Sequence, residues 1–304
     1  MKLGSSDISA VKIGSTDVSK VYIGSTEVWS SFTGLLDTYT GAAAAYSLRQ
    51  LRAAYTGDAI RVRRASDNTE QDIGFVSNEL DTSALTTFCS GTNGFVKTWY
   101  DQSGNGYNAT QTTSANQPQI VSSGSVILEN GKPSVQFDNS SDFMNTSPFS
   151  SLSNASYFMV SQLNIGTGSG DFSYIFSTQG SSAPIQSLAK WQNVSSDANK
   201  RYVYDGSASL RDGVNSLNQE LASLFFPTSS PYMNLYINNL SQTFNSTPSS
   251  ALSPLNKYIS IGRFDGAGVN FMDGKLQEFI VYASDQSSNR TGIETNINDF
   301  YSIY

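Results

Sequence analysis

The chain has 304 residues, of which only 14% are charged, and its formal net charge at pH 7 is −7. It has no histidine and one cysteine, Cys89, which excludes histidine triads, histidine-ligated zinc and an intramolecular disulfide. The acidic balance argues against binding to a nucleic-acid backbone, which needs clustered Lys and Arg. The first residues lack the apolar core of a secretory signal peptide, and no apolar run is long enough to span a membrane.

The first 31 residues contain a ten-residue sequence three times: KLGSSDISAV, KIGSTDVSKV and YIGSTEVWSS. Each copy has an apolar residue, a Gly-Ser turn and a β-branched residue, which predicts strand, turn and strand. One such unit cannot bury its apolar face alone, so these repeats stack on one another or on another chain. We interpret residues 1–33 as an assembly or attachment segment; the alternative is a terminal strand folded onto the main domain. The residues expected at the assembly surface are Ile13, Val18, Val21, Ile23, Val28 and Trp29.

The next elements are predicted from apolar periodicity. An alanine run followed by Leu48, Leu51 and Tyr55 at helical spacing predicts a helix over residues 42–55. Shorter helices are expected over residues 83–89 and 286–301, the last capped by Ser284 or Asp285. Its buried stripe would be Ile293, Ile297 and Tyr301. Strands are predicted at 60–62, 73–76, 96–100, 120–121, 126–128, 134–137, 156–162, 173–177, 201–204, 233–237, 258–262 and 276–282.

Many short strands separated by Gly, Asn, Asp and Ser turns indicate an all-β sandwich or jelly roll with a few short helices. No linker interrupts residues 34–304, so we predict one domain there. The run IGRFDGAGVNFMDGKLQEFIVYASD resembles the last strands of concanavalin A-like and laminin-G-like sandwiches. The strand NLYINN is similar to a hairpin of the same folds. The resemblance implies a concanavalin A/laminin-G-like β-sandwich after the β repeats.

A second resemblance lies in the N-terminal half of this domain. The sequences LRAAYTGDAIRVRRASDNTEQDIG and TTFCSGTNGFVKTWYDQSGNGYNATQ are similar to the catalytic domain of the arabinofuranosidase B family of α-L-arabinofuranosidases. That family implies retaining hydrolysis by a Glu nucleophile and an Asp acid/base. The resemblance assigns the acid/base position to Asp265 in the sequence GRFDG. The family's nucleophile lies in an Asp-x-Glu-Asn-Asn strand, and the nearest segment here, YVYDG, supplies no Glu, with Asp205 matching the motif's Asp. Glu220 lies further on, so the nucleophile stays unidentified, and the family's other cysteines have no counterpart.

The repeats carry a third resemblance. The sequence IGSTDVSKVYIGSTEVW looks like N-terminal segments of bacteriophage tail and fibre proteins. Together with the unplaced nucleophile, it leads us to predict a virion fibre or appendage protein that binds host surface polysaccharide without catalysis. The chain would form homotrimers, contact other virion proteins through residues 1–33, and be assembled in the bacterial host cytoplasm. The alternatives are a retaining α-L-arabinofuranosidase-like hydrolase, with Asp265 as acid/base, and a ligand-free decoration protein.

Candidate ligand-binding residues combine aromatic faces, which stack on sugar rings, with charged groups that bind hydroxyls. They are Arg263, Phe264, Asp265, Trp191, Tyr202, Tyr204 and Asp205. The alternatives are a polar hairpin tip for the first three and core packing for the aromatic residues.

The loop of residues 101–106 offers a second candidate site. Asp101, Ser103 and Asn105 can bind a metal ion or sugar through oxygens, or can serve only to close a tight loop. We predict no cofactor; a structural calcium ion in this loop is the alternative. We also expect neither nucleic-acid binding nor membrane insertion.

Overall fold

The computed structural model describes residues 2–3, 6–8, 10–152, 154–164, 172–178, 186–191, 201–204, 209–212, 217–244, 251, 257–264 and 270–304. The helices within these ranges are α1 (Leu35–Thr38), α2 (Thr82–Phe88), α3 (Arg290–Tyr301) and a 3-10 turn (Ser114–Asn116). The strands are β1 (Lys2–Leu3), β2 (Ser6–Asp7), β3 (Val11–Ile13), β4 (Thr16–Val18), β5 (Lys20–Ile23), β6 (Thr26–Ser30), β7 (Ala42–Ser47), β8 (Ile60–Arg64), β9 (Glu70–Ile73), β10 (Phe75–Val76), β11 (Glu79–Leu80), β12 (Gly94–Trp99), β13 (Ala109–Thr110), β14 (Gln119–Ser122), β15 (Ser125–Val126), β16 (Leu128–Glu129), β17 (Lys132–Pro133), β18 (Val135–Asp138), β19 (Met144–Asn145), β20 (Ser156–Leu163), β21 (Phe172–Thr178), β22 (Ser187–Trp191), β23 (Arg201–Tyr204), β24 (Ser209–Asp212), β25 (Glu220–Phe225), β26 (Asn234–Ile237), β27 (Leu240–Ser241), β28 (Ile259–Ile261), β29 (Arg263–Phe264), β30 (Asn270–Phe271) and β31 (Asp273–Tyr282).

Each N-terminal repeat forms a separate antiparallel hairpin, β1–β2, β3–β4 and β5–β6. Gly14 and Gly24 begin the last two turns with φ of +62°, a conformation that glycine adopts at little cost. Ile13 and Ile23 are 76% and 70% exposed, whereas Val18, Val21 and Val28 are half-buried. The strand-turn-strand pattern is therefore present, and the side chain of Trp29 lies outside the described residues. The assembly role and the boundary at residue 33 stay predictions.

The large domain is a β-sandwich, as predicted. Its first sheet runs β27–β26–β25–β20–β31–β7, with all neighbours antiparallel. Its second runs β24–β23–β22–β21–β28–β19–β13–β12–β8–β9. Strands β14 and β18 connect β12 of the second sheet to β31 of the first.

Aromatic side chains fill the space between the two sheets. Tyr157 of the first sheet stacks on Phe176 of the second, with ring centroids 4.6 Å apart, and Phe176 in turn contacts Phe279 at 5.2 Å. Side chains alternate along a strand, so the next residue on β20, Phe158, points away from this core. The first sheet is therefore apolar on both faces and needs a cover on its outer face.

Helices α1 and α3 supply that cover. Ile293, Ile297 and Tyr301 of α3 are buried against the outer face together with Leu35 of α1, which confirms the predicted stripe. The helix begins at Arg290 with Asn289 as its N-cap, so capping by Ser284 or Asp285 is wrong. The reason is a preceding turn, in which the Asp285 carboxylate accepts the N–H of Ser287 instead.

The helix predicted over residues 42–55 is wrong, because residues Ala42–Ser47 form strand β7. This strand pairs with β31 through partners such as Phe279 and Tyr46. Ala44 and Tyr46 face the core between the sheets, while Ala42 and Ala45 face the outer cluster. Small alanines fit a strand that is buried on both faces, and this packing overrides the helix propensity of the alanine run.

The edge of β7 opposite β31 is closed by the loop after β12, which we call the Asp101–Gln102 clamp. The N–H of Gln102 donates to Ala45 O at 2.8 Å, and the N–H of Ala45 donates to Asp101 Oδ1 at 2.9 Å. The Gln102 amide accepts the N–H of Leu51 and donates to the carbonyls of Ser47 and Arg49. Side chains thus take the place of a neighbouring strand.

Replacing Asp101 by alanine (Asp101→Ala) should destabilise the fold strongly. The carboxylate also accepts the N–H groups of Ser103 and Tyr107, so the substitution leaves three backbone donors without an acceptor. We expect the free energy of unfolding, measured by urea denaturation, to fall by about 2–4 kcal/mol. Asp285→Ala is the matched control, since it loses one exposed bond and should cost less than about 1 kcal/mol. Equal losses in the two variants would contradict the role of the clamp.

Candidate functional site

The residues predicted to bind a ligand lie at the rim of the second sheet, where β28 leads into β29. Gly262 joins the two strands with φ of +84°. A Cβ atom there would lie 2.4 Å from the ring of Phe137, so no other residue fits without displacing the core. This glycine therefore turns the chain sharply and sets the positions of Arg263 and Phe264.

A row of aromatic rings, which we call the aromatic strip, continues from Phe264 across the second sheet. Phe264 packs on Tyr174 with ring centroids 4.7 Å apart, and Tyr174 lies 5.7 Å from Phe172. Phe172 reaches Tyr202 at 4.6 Å. Val203, the residue after Tyr202, points into the core, so the strip occupies the opposite, outer face of the sheet. Tyr174 is only 3% exposed, whereas Phe172, Tyr202 and Phe264 are partly exposed, so these three are the rings suited to stacking against sugar rings.

Arg263 lies beside this strip and is held by an aromatic ring. Its guanidinium carbon is 3.7 Å from the centroid of Phe143, a distance typical of a cation–π contact. Phe143 belongs to the loop between β18 and β19, whose backbone contacts Asn116 through the N–H of Phe143. The side chains of Arg263 and Phe264 thus make their ring contacts with different elements, the β18–β19 loop and β21.

Two carboxyl groups in the β18–β19 loop have opposite environments. Partial burial opposes ionisation of Asp138, but the Ser140 hydroxyl and three backbone N–H groups lower the pKa of Asp138 to about 2. Burial raises the pKa of Asp142 to about 7, and the nearby charge of Asp138 adds to this rise. Asp142 is 7% exposed, and a hydrogen bond from the backbone of Asp138 offsets the rise only in part. A pair of carboxyls with separated pKa values is a common feature of acid/base sites.

A buried ion pair connects the two sheets near the aromatic strip. Arg201 of β23 contacts Glu220 of β25, and both side chains are less than a tenth exposed. Arg201 immediately precedes Tyr202, so the pair anchors one end of the strip. Removing either charge would leave the other buried without compensation. We therefore assign Glu220 a structural role.

The structure brings together three of the predicted residues, Arg263, Phe264 and Tyr202. Asp265 and Asp205 lie outside the described residues, as do the side chains of Trp191 and Tyr204, whose backbones lie in β22 and β23. The sequence reasoning missed Phe143, Asp142, Phe172 and Tyr174. The alternation of Phe172 and Tyr174 is a signal that could have revealed the strip, whereas nothing local indicates that the loop of Asp142 meets β29.

The second predicted site, the loop of residues 101–106, uses its polar atoms internally. Both oxygens of Asp101 accept hydrogen bonds, including one from the Ser103 hydroxyl at 2.8 Å. The Asn105 amide donates to the carbonyls of Ala42 and Ala43. No group of three or more Cys, Asp or Glu residues in the described ranges is arranged to hold a metal ion.

None of the helices in the described ranges has the length and apolarity of a membrane span.

The chain is similar to known proteins in part of its sequence and in its fold. A model of the catalytic domain of α-L-arabinofuranosidase B matches residues 36–131. A solved mutant of a glycoside hydrolase family 54 α-L-arabinofuranosidase, soaked with 4-nitrophenyl α-L-arabinofuranoside, superposes with a TM-score of 0.65 and 17% identity, over 86% of this chain and 64% of that one. An arabinofuranosidase complexed with arabinofuranosyl-α-1,2-xylobiose gives the same four values. The chain contains an arabinofuranosidase-like β-sandwich.

The chain spans less than two thirds of the length of those two enzymes. No curated protein matches the chain significantly. At 17% identity, the similarity to these solved structures establishes the fold of the chain.

The prediction of a bacteriophage fibre or appendage protein without catalysis is wrong by these comparisons. The family match and the solved structures are arabinofuranosidases, and no finding supports a phage origin. The three short repeats specify only hairpins, which occur in many proteins, and therefore do not indicate a phage origin. Association with sister chains or virion proteins, host polysaccharide binding and location in a virion stay predictions from the sequence.

The raised pKa of Asp142 predicts a specific pH dependence of stability. Between about pH 4 and about pH 7 the folded protein holds a proton that the unfolded chain releases, so stability should fall as the pH rises through this range. Asp142→Asn abolishes this titration. Relative to the unaltered protein, its free energy of unfolding should therefore increase by about 1–3 kcal/mol from about pH 4 to about pH 8.

Asp138→Asn should change the free energy of unfolding with the opposite pH dependence, and it serves as the control. The pKa of Asp138 is lowered, so its ionised form stabilises the fold at neutral pH, and that contribution disappears in acid. The cost of Asp138→Asn should therefore shrink as the pH falls. Urea titrations at several pH values measure both trends, and a pH-independent effect of Asp142→Asn would disprove the assignment.

Proposed function

We propose that the chain is a glycoside hydrolase domain that cleaves α-L-arabinofuranosyl linkages. The observation that carries this proposal is the match of residues 36–131 to the arabinofuranosidase B catalytic domain within a sandwich of the same fold. The solved relatives are arabinofuranosidases bound to arabinofuranosyl compounds. The aromatic strip and the adjacent carboxyl groups are consistent with this substrate class.

The reaction requires two carboxyl groups. An acid protonates the glycosidic oxygen as the bond to the anomeric carbon breaks, and a carboxylate on the other side attacks that carbon. Water then releases the sugar, with the first group acting as base. By resemblance to the family, Asp265 is the acid/base, and it follows Phe264 of the aromatic strip directly.

The nucleophile is best assigned among the carboxylates near β23. Glu220 is unsuited, because its charge is committed to Arg201 between the sheets. Asp205 directly follows Tyr204, the last residue of β23, in the segment most similar to the family's nucleophile strand. We therefore propose Asp205 as the nucleophile. Asp142 precedes Phe143, whose ring contacts Arg263, and with a pKa of about 7 it would hold a proton below neutral pH and favour binding of neutral sugar hydroxyls.

The proposal is tested with 4-nitrophenyl α-L-arabinofuranoside and the purified chain. We expect release of nitrophenol that falls by at least about a thousandfold in Asp265→Asn and Asp205→Asn, since each removes a group that acts in the chemical step. Asp285→Asn, at an exposed turn far along the chain, should keep full activity. NMR of the first product should show the retained anomer.

Hydrolysis no faster than in Asp265→Asn would refute the proposed activity. Release that persists in Asp205→Asn alone would refute only the assignment of the nucleophile. Circular dichroism of each variant confirms that the fold is intact.

A further inference from the structure

The β29–β30 hairpin brackets the residue that the proposed reaction uses as acid/base. Its two strands pair with Arg263 opposite Phe271. The residues between the strands, 265–269, begin with Asp265. A two-stranded ribbon is only marginally stable by itself in water, so the orientation of this hairpin depends on what its strands pack against.

The ring of Phe143 packs against both strands of the hairpin. The guanidinium carbon of Arg263 lies 3.7 Å from the centroid of this ring, and the ring centroid of Phe271 lies 6.5 Å from it. Both distances are within the usual ranges for cation–π and aromatic contacts. Because Arg263 and Phe271 lie opposite each other, one ring supports β29 and β30 together.

The loop that carries Phe143 is itself held in place by hydrogen bonds. The N–H of Phe143 donates to the carbonyl of Asn116 at 3.2 Å, and the Gln111 amide donates to the carbonyl of Phe143 at 3.1 Å. At the other end of the loop, the N–H of Asn139 donates to the carbonyl of Met272 at 2.9 Å, just after β30. The ring therefore belongs to a fixed support rather than to a free loop.

The chain that enters the hairpin is fixed at Gly262. A Cβ atom there would lie 2.4 Å from the ring of Phe137 and 3.2 Å from the carbonyl oxygen of Asp142. The Ser177 hydroxyl donates to the carbonyl of Arg263 at 2.9 Å. These contacts determine where β29 begins, and the Phe143 ring determines how the hairpin continues from there.

We infer that Phe143 is a positioning residue whose ring orients the β29–β30 hairpin and so places the Asp265 carboxyl for proton transfer to the glycosidic oxygen. The inference rests on the proposed function, in which Asp265 is the acid/base. Phe143 acts through the hairpin and needs no contact with the substrate. Misplacing a reacting group by about 1 Å can cost about a hundredfold in rate, so the loss of this ring should be felt in the proton transfer.

Two substrates separate proton donation from other effects. Nitrophenolate leaves readily without a proton, whereas methoxide does not, so cleavage of methyl α-L-arabinofuranoside depends on the acid far more than cleavage of the 4-nitrophenyl compound. The value of kcat/KM reports the steps up to cleavage of the glycosidic bond, before Asp265 acts as base. A general loss of folding or of sugar binding lowers kcat/KM for both substrates alike.

Phe143→Leu removes the ring and tests the inference directly. We expect kcat/KM to fall about a hundredfold for the methyl glycoside and by less than about threefold for the nitrophenyl glycoside. Phe143→Tyr keeps the ring and should retain the activity on both substrates.

Phe95→Leu is the matched control. Phe95 on β12 is also half-buried, with the guanidinium carbon of Arg63 5.0 Å from its ring centroid, and strands β13 and β19 separate β12 from β28 in the sheet. This variant loses the same kind of ring away from the hairpin, so it should leave kcat/KM unchanged for both substrates.

Unchanged activity in Phe143→Leu, equal losses on the two substrates, or the same selective loss in Phe95→Leu would overturn the inference and leave the proposed function intact. No hydrolysis of either substrate by the unaltered chain would refute the proposed function, and this inference with it. Circular dichroism checks each variant. If Phe143→Leu is unfolded, Phe143→Met takes its place, since methionine fills irregular gaps without a ring.

Discussion

The Asp101–Gln102 clamp determines how the rest of the sandwich is assembled. Within the described part of the chain, strand β7 pairs with one strand, β31, and it is buried on both faces, so its other edge must be satisfied without water. The clamp does this with a carboxylate and an amide that reach across from the loop after β12. It thereby joins the first sheet to a strand of the second. The sequence around the clamp is also the most specific part of the family resemblance, and its task here is structural.

The rim that carries the candidate site depends on this assembly. Because the two sheets are held in register, the β18–β19 loop meets β29, and the Phe143 ring lies on Arg263. The aromatic strip forms because β21 and β23 lie in one sheet with β22 between them. The candidate site is therefore an edge built from distant segments, while the clamp motif that resembles the family holds the two sheets together. This separation explains how a fold can be recognised more readily than its chemistry.

Most strands were predictable because apolar residues alternate with polar ones between strong turn signals. The helix α3 was equally clear from its buried stripe. The alanine run of β7 was not, since local propensity favours a helix and only the pairing with β31 decides otherwise. At the site, Arg263, Phe264 and Tyr202 followed from residue type, but Asp142 did not. Its raised pKa arises from burial by segments that are remote in sequence.

The N-terminal repeats show the limit of reasoning from a short motif. Their hairpin form follows from the Gly-Ser turns, but a phage role did not follow and was wrong. By itself the sequence determined the β class, the turns, the strand positions and the kinds of side chain available, because these depend on local pattern. The tertiary structure alone decided which face of β7 meets which layer, which rings form the strip and which carboxyl keeps its proton. Those outcomes depend on burial and on contacts between distant segments, which no local pattern encodes.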